Sequence, residues 1–136
     1  MIHIPKKIYN AIIDHAKAGY PNEACGILAG PPLKSDGSAS DFFPMTNMDH
    51  SSISYFMDPK EQLGVFKKMR ALGVEMIGIF HSHVASEATP SQKDVRLAFY
   101  PEVSYLIASL SDMKKPVLRS FKIMEEKVAE EEIKII

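Results

Sequence analysis

Two histidines, a serine and an aspartate stand close together in the chain at a spacing that suits metal chemistry. One residue separates His81 from His83, Ser91 follows after seven residues, and Asp94 follows after two more. The apolar run 74–80 before His81 predicts a strand, in which successive side chains alternate between the two faces. His81 and His83 therefore project from the same face. Two imidazoles and one carboxylate are the ligand set of a catalytic zinc ion, which keeps its fourth position for water, so we expect a hydrolytic metal site.

The same residues also allow structural interpretations. A single buried histidine is more often a core residue than a ligand. A serine followed three residues later by an acidic side chain, as in Ser91 and Asp94, resembles a capping box, in which the hydroxyl accepts a backbone N–H at the start of a helix. The two interpretations are compatible, because the first turn of a helix is a rigid place from which a carboxylate can face a cation.

A glutamate lies far upstream, directly before an apolar segment. Residues 20–30 read Tyr-Pro-Asn-Glu-Ala-Cys-Gly-Ile-Leu-Ala-Gly, and Glu23 precedes the part that predicts a short buried strand. Residues 56–59, Phe-Met-Asp-Pro, precede an amphipathic stretch. With the His-x-His, Ser and Asp spacing, these segments resemble the JAB1/MPN/Mov34 metalloproteases, also called the JAMM or MPN+ family, over nearly the whole chain. One difference is Val84, where the family usually has proline, and it concerns loop rigidity more than metal binding.

The resemblance implies a fold and a role for each motif residue. The fold would be a cytidine-deaminase-like α/β or α+β domain, with a mixed β-sheet and helices packed on it. His81, His83 and Asp94 would hold one zinc ion, which lowers the pKa of a bound water from nearly 16 to roughly 7. Glu23 would act as general acid and base. Ser91 would donate its hydroxyl to the developing oxyanion, a contribution whose loss typically costs ~10²–10³ in turnover.

The resemblance also implies a class of substrate. The family hydrolyses peptide or isopeptide bonds beyond the C-terminus of ubiquitin-like proteins, and this chain resembles the short prokaryotic members, some of which act on sulfur-carrier proteins. The expected partner is therefore a ubiquitin-like or sulfur-carrier protein with an extended Gly-Gly tail. We expect that tail to pair with an edge strand near Phe56 by strand addition. The sequence specifies neither the individual partner nor the oligomeric state.

Other functions fit the sequence less well. A nucleobase deaminase needs His-x-Glu followed by Pro-Cys-x-x-Cys, which a chain with one cysteine cannot supply, and a zincin protease needs His-Glu-x-x-His. The main alternative is a catalytically silent scaffold or partner-binding module of the same fold. Such relatives have typically lost a ligand or the glutamate, whereas this chain keeps all five positions. Cys25 is expected to be a buried core residue, and three histidines are expected not to be ligands: His3, His15 and His50.

The length and composition agree with the small cytoplasmic enzyme that the resemblance implies. With 136 residues, the chain is expected to form one domain, residues 1–136, whose core needs no disulfide or structural metal. The 16 basic and 17 acidic residues leave a net charge of −1, and the basic pairs are isolated, so nucleic-acid binding is not indicated. No apolar run approaches a membrane span or a signal sequence. The single cysteine favours a reducing compartment.

Hydrophobic periodicity predicts interleaved helices and strands. A helix is expected over residues 5–19, with Ile8, Ile12, Ile13 and Ala16 on its apolar stripe. A second is expected over 59–72, with Leu63, Phe66, Lys67 and Arg70 near helical spacing and Gly73 ending it, and a short third over 91–100. The remaining elements are a turn-rich loop over 31–40 and strands over 23–30, 41–48, 52–57, 74–80, 103–110, 117–123 and 133–136.

Overall fold

A computed structural model describes residues 1–32 and 36–136. No helix within these two ranges has both the length and the apolar character needed to cross a bilayer. The helices of the described residues are α1 (Lys6–Gly19), α2 (Pro59–Leu72) and α3 (Gln92–Arg96), and the strands are β1 (Ile2–Ile4), β2 (Cys25–Gly30), β3 (Gly37–Ser38), β4 (Asp41–Met45), β5 (Glu75–His83), β6 (Ser104–Ser109), β7 (Val117–Met124), β8 (Lys127–Glu131) and β9 (Ile133–Ile135).

The strands form two sheets. The larger sheet has the order β4-β2-β5-β6-β7-β8 and the smaller one the order β3-β1-β9. All neighbours in the larger sheet are antiparallel except β5 and β6, which are parallel. This arrangement confirms the predicted mixed sheet with helices packed on it. A parallel pair needs a crossover connection, and the crossover between β5 and β6 contains α3, which brings this helix back to the carboxyl end of β5.

Two helices cover opposite faces of the larger sheet. The predicted stripe of α1 is buried as expected and packs with Leu28, Phe80 and Leu106. Helix α2 packs with Ile27 and Met45 on the other face, because residues 27 and 28 of β2 point in opposite directions. Burial of apolar side chains on both faces stabilises the central strands, at roughly 25 cal/mol per Å² removed from water. The central strands β2 and β5 carry the residues of the candidate site.

The inward face of α2 differs from the predicted stripe. Leu63 and Phe66 are 58% and 41% exposed, whereas Val65 and Met69 are buried. The apolar periodicity of this helix is weak and does not specify one face. Its inward face is set by tertiary packing, in which Val65 and Met69 join a cluster with Ile27, Met45 and Met57.

Further elements also differ from prediction. Residues 52–57 form no strand and make only one bridge, between Asn47 and Met57. Helix α3 ends at Arg96, earlier than expected. Strand β8 was missed because its exposed, acidic sequence lacks apolar alternation; it follows a two-residue turn with positive φ at both Glu125 and Glu126, as a type I′ hairpin requires. Within the predicted loop 31–40, residues 33–35 lie outside the described part and Gly37–Ser38 form β3.

Two glycines of α2 make a matched pair for a stability measurement. Gly73 ends the helix in the left-handed conformation, with φ +70°, where a side chain costs about 1 kcal/mol or more. Gly64 lies inside the helix, and nothing lies within 4 Å of the position of an added Cβ. We predict that Gly73→Ala lowers the free energy of unfolding by about 1 kcal/mol, whereas Gly64→Ala raises it by about 0.5–1 kcal/mol. Urea unfolding measures both, and effects of the same sign would contradict this account of α2.

Candidate metal centre

The end of β5 brings the three predicted metal ligands together. Nε2 of His81 and Nε2 of His83 are 3.2 Å apart, and each lies 3.1 Å from Oδ2 of Asp94. Both imidazoles are buried and the aspartate is half-buried. Strand alternation places the two rings on one face of β5, and the crossover to β6 returns Asp94 to the same point. The three residues form a group that can hold a metal ion.

A capping box at the start of α3 holds the aspartate. The Asp94 N–H donates to Oγ of Ser91 at 3.1 Å, and the Ser91 N–H donates to Oδ2 of Asp94 at 2.9 Å. The cap predicted as an alternative interpretation is therefore present, and the same carboxylate oxygen also faces the two histidines. The Ser91 hydroxyl acts as an acceptor in the cap, so its own proton is free to be donated to another group.

Hydrogen bonding fixes the tautomer of one histidine. Nδ1–H of His83 donates to the Glu87 carbonyl oxygen at 2.7 Å, so the neutral ring directs the lone pair of Nε2 toward Oδ2 of Asp94. That oxygen is itself an acceptor, and two acceptors at this distance repel each other unless a proton or a cation lies between them. An outer hydrogen bond of this kind is typical of metal-binding histidines, because it orients the ring.

The three donor atoms fit a tetrahedral metal ion. Zinc–nitrogen and zinc–oxygen distances near 2.0–2.1 Å place neighbouring ligand atoms of a tetrahedron about 3.3 Å apart, and the observed separations are 3.1–3.2 Å. Two imidazoles and a carboxylate leave one of four positions for another group. The cluster therefore suits a metal ion with an open coordination site.

The pKa values of the three residues are shifted by burial and by the hydrogen bonds among them. Burial lowers the pKa of His81. Burial acts in the same direction on His83, but its hydrogen bonds to Asp94 and to the Glu87 carbonyl outweigh burial and raise its pKa. Burial opposes ionisation of Asp94, yet the hydrogen bonds from both histidines hold its pKa well below the usual range. The protein thus stabilises a carboxylate beside positive charge, which a metal cation also supplies.

Glu23 lies beside this cluster and is buried, with only 7% of its surface exposed. Ala24, which follows Glu23, is held by Ser82, whose side chain lies on the opposite face of β5 from the two histidines. The Ser82 Oγ accepts the Ala24 N–H at 2.8 Å, and the Ser82 N–H donates to the Ala24 carbonyl at 3.0 Å. Burial raises the pKa of Glu23 to about 7. A carboxyl group with this pKa can hold or release a proton near neutral pH.

Glu23 and His83 line a common cleft of about 310 Å³. The cleft also contains Ser91, so the carboxyl group, one imidazole of the cluster and a hydroxyl face the same space. The remaining residues of its wall come from the segment after β4 and from the loop after β5: Ser52, Ile53, Val84, Ala85 and Ser86. A substrate that enters this cleft reaches all three groups.

Sequence reasoning missed two residues of the site. The Tyr55 ring stacks on His81, with 4.7 Å between centroids and 21° between planes, and burial raises the pKa of its hydroxyl. Nδ1 of His81 is buried and has no hydrogen-bond partner among the described residues, so this stacking orients the ring. The second residue is Asn47, whose Nδ2 donates a hydrogen bond to the Glu23 carbonyl at 3.0 Å. The only signal for Tyr55 in the sequence was that it directly precedes the Phe-Met-Asp-Pro segment at 56–59.

The structure also bears on the predictions that Cys25 is a core residue and that three further histidines are not ligands. Cys25 is fully buried, and burial raises the pKa of its thiol to about 12, which makes it an inert core residue. His15 donates Nε2–H to the Cys25 carbonyl at 2.9 Å. Within residues 1–32 and 36–136, neither this histidine nor the other two predicted non-ligands, His3 and His50, belongs to the metal-binding group.

The family of the chain follows from its sequence as well as from this site. The family described as "Prokaryotic homologs of the JAB domain", Prok-JAB, matches residues 5–124. The chain belongs to this family, which confirms the resemblance to JAB/MPN proteins.

Individual relatives agree with this assignment. The chain is 38% identical over 129 residues to the CysO-cysteine peptidase of Mycobacterium tuberculosis, covering 95% of this chain and 87% of the relative. It is 31% identical over 105 residues to the desampylase of Haloferax volcanii, covering 74% of each chain. The solution structure of protein DSY2949 from Desulfitobacterium hafniense is similar with a TM-score of 0.92 and 46% identity, covering 100% of this chain and 93% of that one.

We predict that the cluster binds one divalent metal ion per chain. Titration of the metal-stripped protein with zinc, followed by calorimetry, should give about one equivalent. His81→Ala and Asp94→Ala should each weaken the zinc affinity by more than about 10²-fold. Loss of a residue that only hydrogen-bonds to a metal ligand already costs about 10–100-fold, and these variants remove a ligand itself. His50→Asn is the matched control, because this exposed histidine lies outside the cluster. Unchanged affinity in both ligand variants would exclude this site.

Proposed function

We propose that this protein is a zinc-dependent peptidase or isopeptidase that acts in the cytoplasm on a ubiquitin-like or sulfur-carrier protein. It would hydrolyse the bond that follows the C-terminal Gly-Gly tail of that protein. The observation that carries the proposal is the buried Glu23 in one cleft with His83, beside a complete three-ligand group. The names of the relatives support the substrate class, since one is a peptidase of CysO-cysteine and another is a desampylase.

Each residue of the site has a distinct task in this proposal. His81, His83 and Asp94 would hold zinc, which supplies Lewis acidity and an activated water when bound. Glu23 would accept a proton during attack on the carbonyl and deliver it to the leaving amine, and its place in the cleft beside His83 suits both transfers. The free hydroxyl proton of Ser91 would be donated to the carbonyl oxygen as negative charge develops there.

The walls of the cleft favour a narrow, extended substrate. Ile53 is 82% exposed and borders both the cleft of Glu23 and a smaller depression beside Asp94 and Tyr55. A chain that passes the cluster must therefore cross this branched side chain closely. Glycine residues have no side chain and let their backbone approach such a surface, which is why a Gly-Gly tail fits the proposal.

The expected strand addition near Phe56 does not agree with the structure. The Phe56 N–H donates to Oδ1 of Asn47 at 3.1 Å, and the Phe56 carbonyl accepts the Met48 N–H at 2.8 Å. Both backbone groups of this residue are therefore engaged within the chain. We propose instead that the tail is positioned by the cleft walls and by the groups that bind its scissile carbonyl.

The role of Glu23 can be separated from metal binding. Glu23→Gln keeps the size of the side chain but cannot accept a proton, so we predict that it retains about one equivalent of zinc and loses at least about 10²-fold in kcat. Turnover of a carrier protein extended after Gly-Gly, measured with zinc titration of the same preparation, checks both values. Glu75→Gln is the control, since this exposed residue lies at the far end of β5. Parallel loss of zinc would make Glu23 a ligand.

Recognition of the tail can be tested on the substrate. A ubiquitin-like carrier extended by a short peptide after Gly-Gly should be cleaved directly after the second glycine. Changing that glycine to valine should reduce kcat/KM by about tenfold or more, because a β-branched side chain cannot pass the cleft walls at the same distance. Mass spectrometry identifies the cleavage position. Equal cleavage of both tails would reject tail recognition while leaving the zinc hydrolase proposal intact.

A further inference from the structure

Asn47 uses the full hydrogen-bonding capacity of its amide inside the protein. It is only 9% exposed. Its Nδ2 donates to the Glu23 carbonyl and to the Ser54 carbonyl, both at 3.0 Å. Its Oδ1 accepts the Asp49 N–H at 3.0 Å and the Phe56 N–H at 3.1 Å. An amide has two donor hydrogens and an oxygen that accepts two bonds, so every position of this side chain is occupied by backbone.

These bonds join Glu23 to residues 49–56, two segments that are not paired as strands. We call residues 49–56 the rim segment, because Ser52 and Ile53 within it border the cleft. The rim segment contains no strand, and an isolated bridge between Asn47 and Met57 closes its base. Side-chain hydrogen bonds therefore supplement the few backbone bonds that hold the segment, and three of the four bonds of Asn47 go to it.

The fourth bond connects the rim segment to Glu23. The Glu23 carbonyl is held by Asn47, and the Glu23 N–H donates to the Ser51 carbonyl in the rim segment at 2.8 Å. Glu23 lies before β2 begins at Cys25, so the sheet does not restrain its peptide groups. The same rim segment carries Tyr55, whose ring stacks on His81.

We propose that Asn47 is a positioning residue, which sets the carboxyl group of Glu23 in place relative to the metal-binding cluster. The inference rests on the proposed function, since it acts through the acid–base role of Glu23. Because misplacement of a reacting group by about 1 Å can cost about 10²-fold in rate, loss of this side chain should affect turnover more than metal binding.

Asn47→Asp is the informative variant. It keeps the shape and the acceptor Oδ1, but it replaces the donor Nδ2 with an oxygen that faces the carbonyls of Glu23 and Ser54. We expect this variant to bind zinc with unchanged stoichiometry and to lose about ten- to 100-fold in kcat, with a smaller change in KM. Asn22→Asp is the matched control, because it adds the same charge next to Glu23 at a half-exposed position, and its kcat should stay within about twofold of the wild type.

A double-mutant cycle distinguishes positioning from a general structural role. In a Glu23→Gln background, Asn47→Asp should lower the residual kcat by no more than about twofold, because the group that Asn47 positions has already lost its function. A purely structural defect would reduce both backgrounds by the same factor, and that result would overturn the proposal. An equal loss in the Asn22→Asp control would also overturn it, since charge alone would then explain the effect.

Amide hydrogen exchange supplies a measurement that does not depend on activity. In Asn47→Asp the Glu23 N–H should exchange faster than in the wild type, whereas the Ala24 N–H, which Ser82 holds, should be unchanged. If the aspartate variant does not fold, the uncharged Asn47→Ser takes its place in every measurement. A wild type that cleaves no carrier would reject the proposed function, and the exchange rate of the Glu23 N–H would then test separately whether Asn47 holds this segment. Full kcat in a folded Asn47 variant of an active enzyme would reject this inference alone.

Discussion

The register of β5 is the constraint on which the site depends. His81 pairs with Cys25 of β2 on one side and with Ile107 of β6 on the other, so the strand is fixed between two buried neighbours. Because side chains alternate, this register turns two histidines toward the cluster and Ser82 toward the backbone of Ala24. A slip by one residue would exchange these faces and remove both the candidate ligands and the bonds that Ser82 makes to Ala24, next to Glu23.

The cluster concentrates acceptors that tolerate one another only around positive charge. Oδ2 of Asp94 receives the Ser91 N–H and faces both imidazoles, while the Glu87 carbonyl fixes the ring of His83. Such an arrangement lowers stability unless a proton or a cation is shared. Bonds from the cap at Ser91 and from the crossover loop orient these side chains, so binding of a metal ion at this candidate site would require little reorganisation.

Local patterns predicted the parts of the protein that local chemistry determines. The strand before His81, the stripe of α1 and the capping box at Ser91 each follow from short-range spacing, and the structure contains all three. The inward face of α2 and the edge strand β8 depend on packing and on a hairpin turn, which apolar periodicity does not encode. Asn47 escaped prediction for a related reason, since its four bonds join segments that lie up to 24 residues apart in the chain.

Two hydrogen bonds restrain the loop after β5, where Val84 replaces the proline that the family resemblance leads one to expect. His83 donates to the Glu87 carbonyl at 2.7 Å, and the Ser109 hydroxyl donates to the Ser86 carbonyl at 2.6 Å. Ser109 also pairs with His83 across β5 and β6, so the same two strands that set the ligands restrain the loop. Proline would restrict only its own φ and that of its neighbour, whereas these two bonds hold the loop at two later points. Val84 is therefore compatible with an ordered cleft wall, and its aliphatic side chain contributes to the surface that faces the cleft.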